Sequence, residues 1–240
     1  MNKVKFLLTA AGAALAMVSV APAATAAPVV PESDPDFSTQ IIDGRFATSG
    51  PWAARLFKNG QQNCSATIIA PQYILTARHC VGGTLSFRIG SLDQTSGGTM
   101  ANGVQTTIHP SADLAIVRLD RSVQATYAPL GTTADVAVNQ TVQVYGWGAT
   151  CTNQPEINCQ SRYLKYANVR VTSTNARDYI GGVAVQATRI DGITAGGDSG
   201  GPMFGNGRQV GVASTSDRVR VTNYTHVGQY RTWIRGIAGV

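Results

Sequence analysis

GITAGGDSGGPMF, residues 192–204, places Asp198 and Ser199 side by side between glycines. A serine hydroxyl is a weak nucleophile at neutral pH, so it needs a base to accept its proton and a third group to orient that base. The attacked carbonyl also develops negative charge, which backbone N–H groups can stabilise. Because glycines permit the tight turns that aim such groups inward, the stretch predicts a nucleophile on a shaped loop. An ordinary glycine-rich turn is the alternative.

Two further stretches supply the partners that such a serine requires. His79 lies in YILTARHC, after a hydrophobic run, and Asp113 opens DLAIVRL. The chain order His, Asp, Ser is one of several known for hydrolytic triads. Each residue also has a plainer interpretation, as a surface histidine before a cysteine and as an acid capping a strand.

Short β-branched runs separated by turn residues recur along the chain. This pattern predicts an all-β sandwich or barrel. Only the final stretch, GQYRTWIRGIAGV, predicts a helix, because its Tyr230, Trp233, Ile234 and Ile237 share one face. The predicted strands are 65–70, 73–77, 85–90, 104–109, 114–119, 141–148, 163–172, 182–189, 208–214 and 218–224.

The motifs TARHC, DLAIVRL, YGWG and GDSGGP, in this order, resemble those of the chymotrypsin-like (trypsin-family) serine proteases, here of the secreted bacterial type. The resemblance runs from about Ile41 to the terminal helix. It implies two six-stranded antiparallel β-barrels with a short C-terminal helix, the first barrel over 41–130 and the second over 131–240. It further implies a serine endopeptidase that hydrolyses peptide bonds through an acyl-enzyme.

The roles known in the family carry over to matching residues. Ser199 is expected to be the nucleophile and His79 the base, with Asp113 holding the histidine in the right tautomer. The backbone N–H groups of Gly197 and Ser199 are expected to form the oxyanion hole. Losing one such donor costs about 3–4 kcal/mol of transition-state stabilisation.

Activation is the role that the resemblance implies for Asp198. In the family, cleavage exposes a new N-terminus whose ammonium pairs with the acid before the serine. IIDG at 41–44 resembles that start, so Ile41 is the expected partner and the chain a zymogen. Asp43 departs from the usual glycine and Gln40 from the frequent Arg or Lys, which argues against a trypsin-like activator. Arg78 stands where small residues are normal.

Specificity is narrowed but left open by the residues near the serine. In the family, the residue six before it commonly lies at the base of the primary pocket, and here it is Ile193. With Ser214 in register and Ser216 in place of a glycine, this favours small or apolar side chains at the cleaved position (P1). A shift of register would instead put Asp191 there and favour Arg or Lys. Asp217 is a weaker third candidate.

All four cysteines follow residue 60, and an even number in an exported chain indicates disulfides, although three pairings are possible. The resemblance implies that Cys64 and Cys80 bracket the histidine loop. Cys151 and Cys159, which enclose TNQPEIN, are expected to staple a local loop. Zinc ligation is the competing interpretation, and we expect neither a metal nor another cofactor.

The N-terminal residues predict export. Residues 1–26 combine two lysines, an apolar run and a small-residue cleavage pattern, as in a signal peptide. The apolar run is shorter than the roughly 20 residues of a membrane anchor, so no stable anchor is expected. Residues 27–40 are acidic and proline-containing, which predicts a pro-segment, with a tail of no function as the alternative.

Charge and partners complete the sequence-based expectations. The formal net charge is +6, but the arginines are scattered and form no basic block, so nucleic acid is not an expected partner. Protein or peptide substrates are expected, a proteinaceous inhibitor is a candidate further partner, and the chain is expected to be an extracellular monomer. Two other functions compete: a catalytically inactive binding protein of the same fold, and an esterase or acyltransferase with the same triad.

Overall fold

The computed structural model describes residue 1, residues 41–151 and residues 153–240. Apart from Met1, the expected signal peptide (1–26) and pro-segment (27–40) lie outside the described residues. Within the described part, strands dominate, and no helix there is long and apolar enough to cross a bilayer.

The first barrel closes from six antiparallel strands that follow a two-residue strand, β1 (Arg45–Phe46). Its strands are β2 (Ala53–Lys58), β3 (Gln61–Ala70), β4 (Tyr73–Thr76), β5 (Leu85–Ile89), β6 (Thr99–Ile108) and β7 (Ala115–Leu119). They neighbour one another in the order β2-β3-β4-β7-β6-β5. The pairing of β5 with β2 closes the barrel. The alternate residues Leu85, Phe87 and Ile89 of β5 are buried, as expected when one face of a strand points to a core.

The second barrel also consists of six antiparallel strands. They are β8 (Thr141–Gly146), β9 (Lys165–Arg177), β10 (Val183–Arg189), β11 (Pro202–Gly205), β12 (Arg208–Ser216) and β13 (Val221–His226). Their order is β9-β10-β13-β12-β11-β8, and the pairing of β8 with β9 closes the ring. The segment 41–46, which the sequence-based division counted with the first half, belongs here: β1 pairs with β9, and Ile41 lies in this barrel's apolar core.

The chain ends in a helix, α1 (Arg231–Ala238), after a 3₁₀ turn at Val227–Tyr230. The predicted apolar face is confirmed, because Ile234 is fully buried and its neighbours on that face pack against the core of the first barrel. Gly239, with φ 78°, ends the helix in the left-handed conformation that favours glycine. The end of the chain therefore returns from the second barrel to the first.

The expected fold class, two six-stranded antiparallel barrels with a short C-terminal helix, is confirmed. Each predicted strand overlaps an observed one, but two strands of the barrels, β2 and β11, were not predicted. AARLFK in β2 carries an arginine, Arg55, at a fully buried position, which masks the apolar pattern. PMFG in β11 has only four residues and begins with proline, which cannot donate a ladder hydrogen bond.

Candidate active site

Strand register brings His79 and Asp113 together at one end of the first barrel. Thr76 of β4 pairs with Ala115 of β7, so the residues just after β4 lie beside those just before β7. His79 Nδ1 lies 2.7 Å from Asp113 Oδ2, and the backbone N–H of His79 donates to Oδ1 at 3.0 Å. Ser199, from the second barrel, lines the same cavity as His79.

Asp113 is fully buried, and its carboxylate accepts hydrogen bonds from several donors. Ser214 Oγ donates to its Oδ2 at 2.6 Å, in addition to the two bonds from His79. Burial alone would raise the pKa of Asp113, but the hydrogen bond and charge of His79 and the Ser214 bond lower it below its ordinary value. Since an ionised carboxylate only accepts hydrogen bonds, Nδ1 of His79 must donate, which leaves Nε2 free to take a proton.

A second buried acid, Asp178, holds the backbone of Asp113 by a hydrogen bond. It was not predicted from the sequence. Its Oδ2 accepts the backbone N–H of Asp113 at 2.9 Å and the hydroxyl of Thr225 at 2.9 Å. Its Oδ1 accepts the N–H groups of Ile180 and Gly182 and so shapes the β9–β10 turn. The only local signal was an acid three residues before a glycine pair, which by itself indicates no more than a turn.

The loop around Ser199 leaves two backbone donors free. Gly197 has φ +99°, a conformation that a side chain would strain. Ser65, from the first barrel, fixes the loop twice: its N–H donates to Ser199 O at 2.9 Å and its hydroxyl to Gly197 O at 2.9 Å. Among the described residues, neither the Gly197 nor the Ser199 N–H has a hydrogen-bond acceptor, so both can serve a ligand oxygen.

Asp198 points away from the cavity into the second barrel. Its carboxylate is fully buried and accepts the N–H groups of Gly148 at 2.7 Å and Ala195 at 2.9 Å. Burial raises the pKa of Asp198 to about 6, opposed by these two bonds and by the positive charges of Arg55 and Lys165. A side chain at Gly148 would collide with this carboxylate, because its Cβ would lie 2.2 Å from Oδ2.

Beside His79 and Ser199 opens a cavity of about 340 Å³. Its lining includes two of the predicted binding residues, Ser214 and Ser216, and no carboxylate. Arg218 at its edge is paired with Glu156, a contact that the sequence analysis missed. The complete lining is His79, Tyr179, Thr194, Ala195, Gly196, Ser199, Ala213, Ser214, Thr215, Ser216 and Arg218.

The other candidate specificity residues lie outside this lining. Asp191 accepts the backbone N–H of Asn168 at 2.7 Å and its side-chain amide at 2.6 Å. Ile193 is fully buried, and its N–H donates to Ile42 O at 3.0 Å. The two residues that follow it in the chain do line the cavity. Asp217 is a turn former, because its Oδ1 accepts three successive N–H groups, from residues 219 to 221.

The unusual Arg78 is accommodated without blocking the site. Its Nη1 donates to the carbonyls of His109 and Pro110, at 3.2 Å each. The guanidinium therefore lies against the loop that leads to Asp113, and it is absent from the lining of the cavity.

Two disulfides close the loops that flank the site, with the expected pairing. Cys64–Cys80 joins β3 to the turn that carries His79, and Cys151–Cys159 closes the local loop. Cys64, Cys80 and His79 lie close enough to share a metal ion, but both sulfurs are consumed in the disulfide. This cluster is therefore not a zinc site.

Comparison with known proteins decides the family. The model of the family described as "Trypsin" matches residues 41–234. The chain belongs to the trypsin family. Trypsin alpha-4 of Lucilia cuprina is 30% identical over 225 residues, which cover 83% of this chain and 88% of that protein. Chymotrypsin-like elastase family member 1 of Bos taurus is 28% identical, with 83% of this chain and 90% of that protein covered.

Solved structures agree with this membership. Neuropsin, a serine protease expressed in the limbic system of mouse brain, superposes with a TM-score of 0.70 at 26% identity, covering 81% of this chain and 98% of neuropsin. Together with the family match, this makes the chain a trypsin-family serine endopeptidase that acts on protein or peptide substrates. Because the curated relatives include both a trypsin and an elastase, their names alone do not fix the side chain at which this chain cleaves.

Proposed function

We propose that the chain is a secreted endopeptidase that cleaves after small or apolar residues through an acyl-enzyme on Ser199. His79 Nε2 takes the Ser199 proton as Oγ attacks the scissile carbonyl, and later delivers it to the leaving amine. Asp113 stabilises the imidazolium that forms in between. Water then attacks the acyl-enzyme with His79 as base, which releases the acid product and restores the serine. The observation that carries this mechanism is the 2.7 Å His79–Asp113 contact beside Ser199.

The two free N–H groups of Gly197 and Ser199 are proposed to bind the oxyanion. They lie on the same loop as the nucleophile and lack acceptors among the described residues, as preorganised donors require. Removing one such donor costs about 100-fold or more in kcat, so this loop supplies a large share of the rate.

The proposed specificity depends on the lining of the cavity. It offers alanines, threonines and serines and no carboxylate, and its one cation, Arg218, is already paired with Glu156. Asp191, the residue on which a preference for Arg or Lys would depend, is occupied by Asn168. Small or apolar P1 side chains are therefore favoured over basic ones.

The experiment is a P1 substrate panel on protein beginning at Ile41, with Ser199→Ala as the blank. We expect cleavage after Ala, Val, Leu or Phe with kcat/KM at least tenfold above that after Arg or Lys. A strong preference for Arg would overturn the specificity and restore the trypsin-like alternative through Asp191. Activity no higher than the blank, with no labelling of Ser199 by a fluorophosphonate, would favour the inactive binding protein, and labelling without peptide cleavage would favour an esterase.

A further inference from the structure

Arg55 is a buried cation that the proposed chemistry does not yet use. It lies on β2 of the first barrel, and its side chain is fully inaccessible to solvent. Burial lowers the pKa of Arg55 to about 9, partly offset by the negative charge of Asp198. The guanidinium therefore remains charged at neutral pH, and a buried charge is retained only when its donors are satisfied.

Its donors reach the serine loop and two glutamine side chains. Nη1 donates to Gly197 O at 3.2 Å, across a sequence separation of 142 residues, and also lies 3.4 Å from Cys64 O. Nη2 donates to Gln160 Oε1, and Nε donates to Gln94 Oε1 at 2.9 Å.

Gln160 transmits a second constraint to the same glycine. A Cβ at Gly197 would lie 2.8 Å from Cδ and Nε2 of Gln160, so the amide packs directly against this residue. Arg55 thus acts on Gly197 in two ways. It donates directly to the Gly197 carbonyl, and it holds the Gln160 side chain that packs against Gly197.

The consequence concerns the direction of the Gly197 N–H. The N–H and C=O of one residue are related by only two dihedral angles, and Gly197, with φ +99°, has no side chain of its own whose packing could hold them. A fixed carbonyl is therefore the means by which the loop fixes the N–H. Because Ser65 Oγ also donates to this carbonyl, at 2.9 Å, the first barrel provides both of its hydrogen bonds.

We propose that Arg55 is a positioning residue for the oxyanion hole: it holds the Gly197 carbonyl and the Gln160 amide so that the Gly197 N–H points at the reacting carbonyl. This inference rests on the proposed function of Ser199 and its loop. It assigns to a first-barrel arginine the geometry of a second-barrel catalytic loop.

The test compares Arg55→Met with wild type, and Arg118→Met is the matched control. Arg118 belongs to the same barrel, and its Nε also donates to a glutamine side chain, Gln105, but it is exposed and this partner lies on β6 of the first barrel. We expect Arg55→Met to lower kcat about 100-fold with KM within about twofold, because small misplacements of catalytic groups have effects of this size. Arg118→Met should leave both unchanged.

Inhibitor binding separates positioning from a general loss of structure. A peptidyl aldehyde forms an oxyanion on the enzyme, whereas the corresponding alcohol does not. We expect Arg55→Met to lower the affinity for the aldehyde by about the same factor as it lowers kcat, and to leave the affinity for the alcohol unchanged. Arg55→Lys, which keeps a charge and can reach one acceptor, should recover part of the loss.

If Arg55→Met does not fold, Gln160→Ala removes the side chain that packs against Gly197, at a partly exposed position, and should lower kcat and aldehyde affinity together, by a smaller factor. Folded Arg55 or Gln160 variants with wild-type kcat and aldehyde affinity would overturn the inference alone. Wild-type protein without activity or fluorophosphonate labelling would overturn the proposed function, and this inference with it.

Discussion

At the residue scale, Asp113 has the least exchangeable role, because its negative charge sets the tautomer of His79. In Asp113→Asn, the amide can donate to Nδ1, which then leaves the proton on Nε2, where a base is required. We expect kcat at pH 7 to fall about 10⁴-fold, as tautomer reversal does in such triads, with the unfolding temperature changed by no more than a few degrees. Steady-state kinetics and thermal unfolding check this, and a loss below tenfold would contradict the role.

The sequence alone indicated the three residues of the proposed triad and gave no sign of two residues that contact them or their loop. Ser199, His79 and Asp113 each lie in a local motif, and short-range patterns can be read from the chain. Arg55 and Asp178 lie in stretches with no motif, and their contacts reach Gly197 and Asp113 across 142 and 65 residues. Roles that depend on packing between distant segments leave no pattern in either segment alone.

At the element scale, the β5–β6 loop is attached to the second barrel by Asp93. Its carboxylate accepts hydrogen bonds from Thr95, Ser96 and Arg162. The backbone of Asp93 also forms an isolated antiparallel β-bridge with Tyr163. Burial would raise the pKa of Asp93, but the bonds from Arg162 and Thr95 lower it well below its ordinary value. A carboxylate with a depressed folded-state pKa stabilises the fold above its unfolded-state pKa and loses that effect as pH falls.

Asp93→Asn should therefore lower the unfolding temperature at pH 7, because the charged acceptor of Arg162 is lost. The deficit should shrink below about pH 3.8, because the Asp93 carboxylate of the unfolded wild-type chain then binds a proton, which favours unfolding. Thermal unfolding of both proteins from pH 7 to pH 2 checks the sign. A difference that grows toward low pH would contradict it, and Asp120→Asn, whose partner Arg121 is its chain neighbour, provides the comparison.

Strands were predicted where β-branched runs stand between turn residues, and they were missed where a buried charge or a very short length interrupts that pattern. The run that forms β5 was recognised as a strand, whereas β2 contains Arg55 among apolar residues and β11 is only four residues long. The strand that went unrecognised because of its charge is also the strand that holds the serine loop.

At the scale of the whole molecule, the proposed zymogen switch joins the start of the second barrel to its buried acid. Ile41 is fully buried in the described structure, and burial raises the pKa of Asp198 to about 6. A free ammonium at Ile41 would give this carboxylate a third positive partner, and removing a partner from a buried charge typically costs several kcal/mol. Cleavage after Gln40 is therefore the proposed activating step.

Protein beginning at residue 27 should hydrolyse peptides at a small fraction of the rate of protein beginning at Ile41. The activity of the longer form should rise when it is cut after Gln40, and Asp198→Asn in the shorter form should abolish the gain. Peptide hydrolysis followed alongside N-terminal sequencing measures both. Full activity of the longer form before any cleavage would contradict the proposed activation.

The two barrels also cannot be treated as interchangeable modules. Arg55 and Ser65 come from the first barrel, yet both bond the Gly197 carbonyl of the second. A chimera that joined this second barrel to a first barrel without an arginine and a serine at these two positions would lack both donors. We expect such a recombinant to be folded but slow, and to regain activity when the two donors are introduced with the loop that they hold.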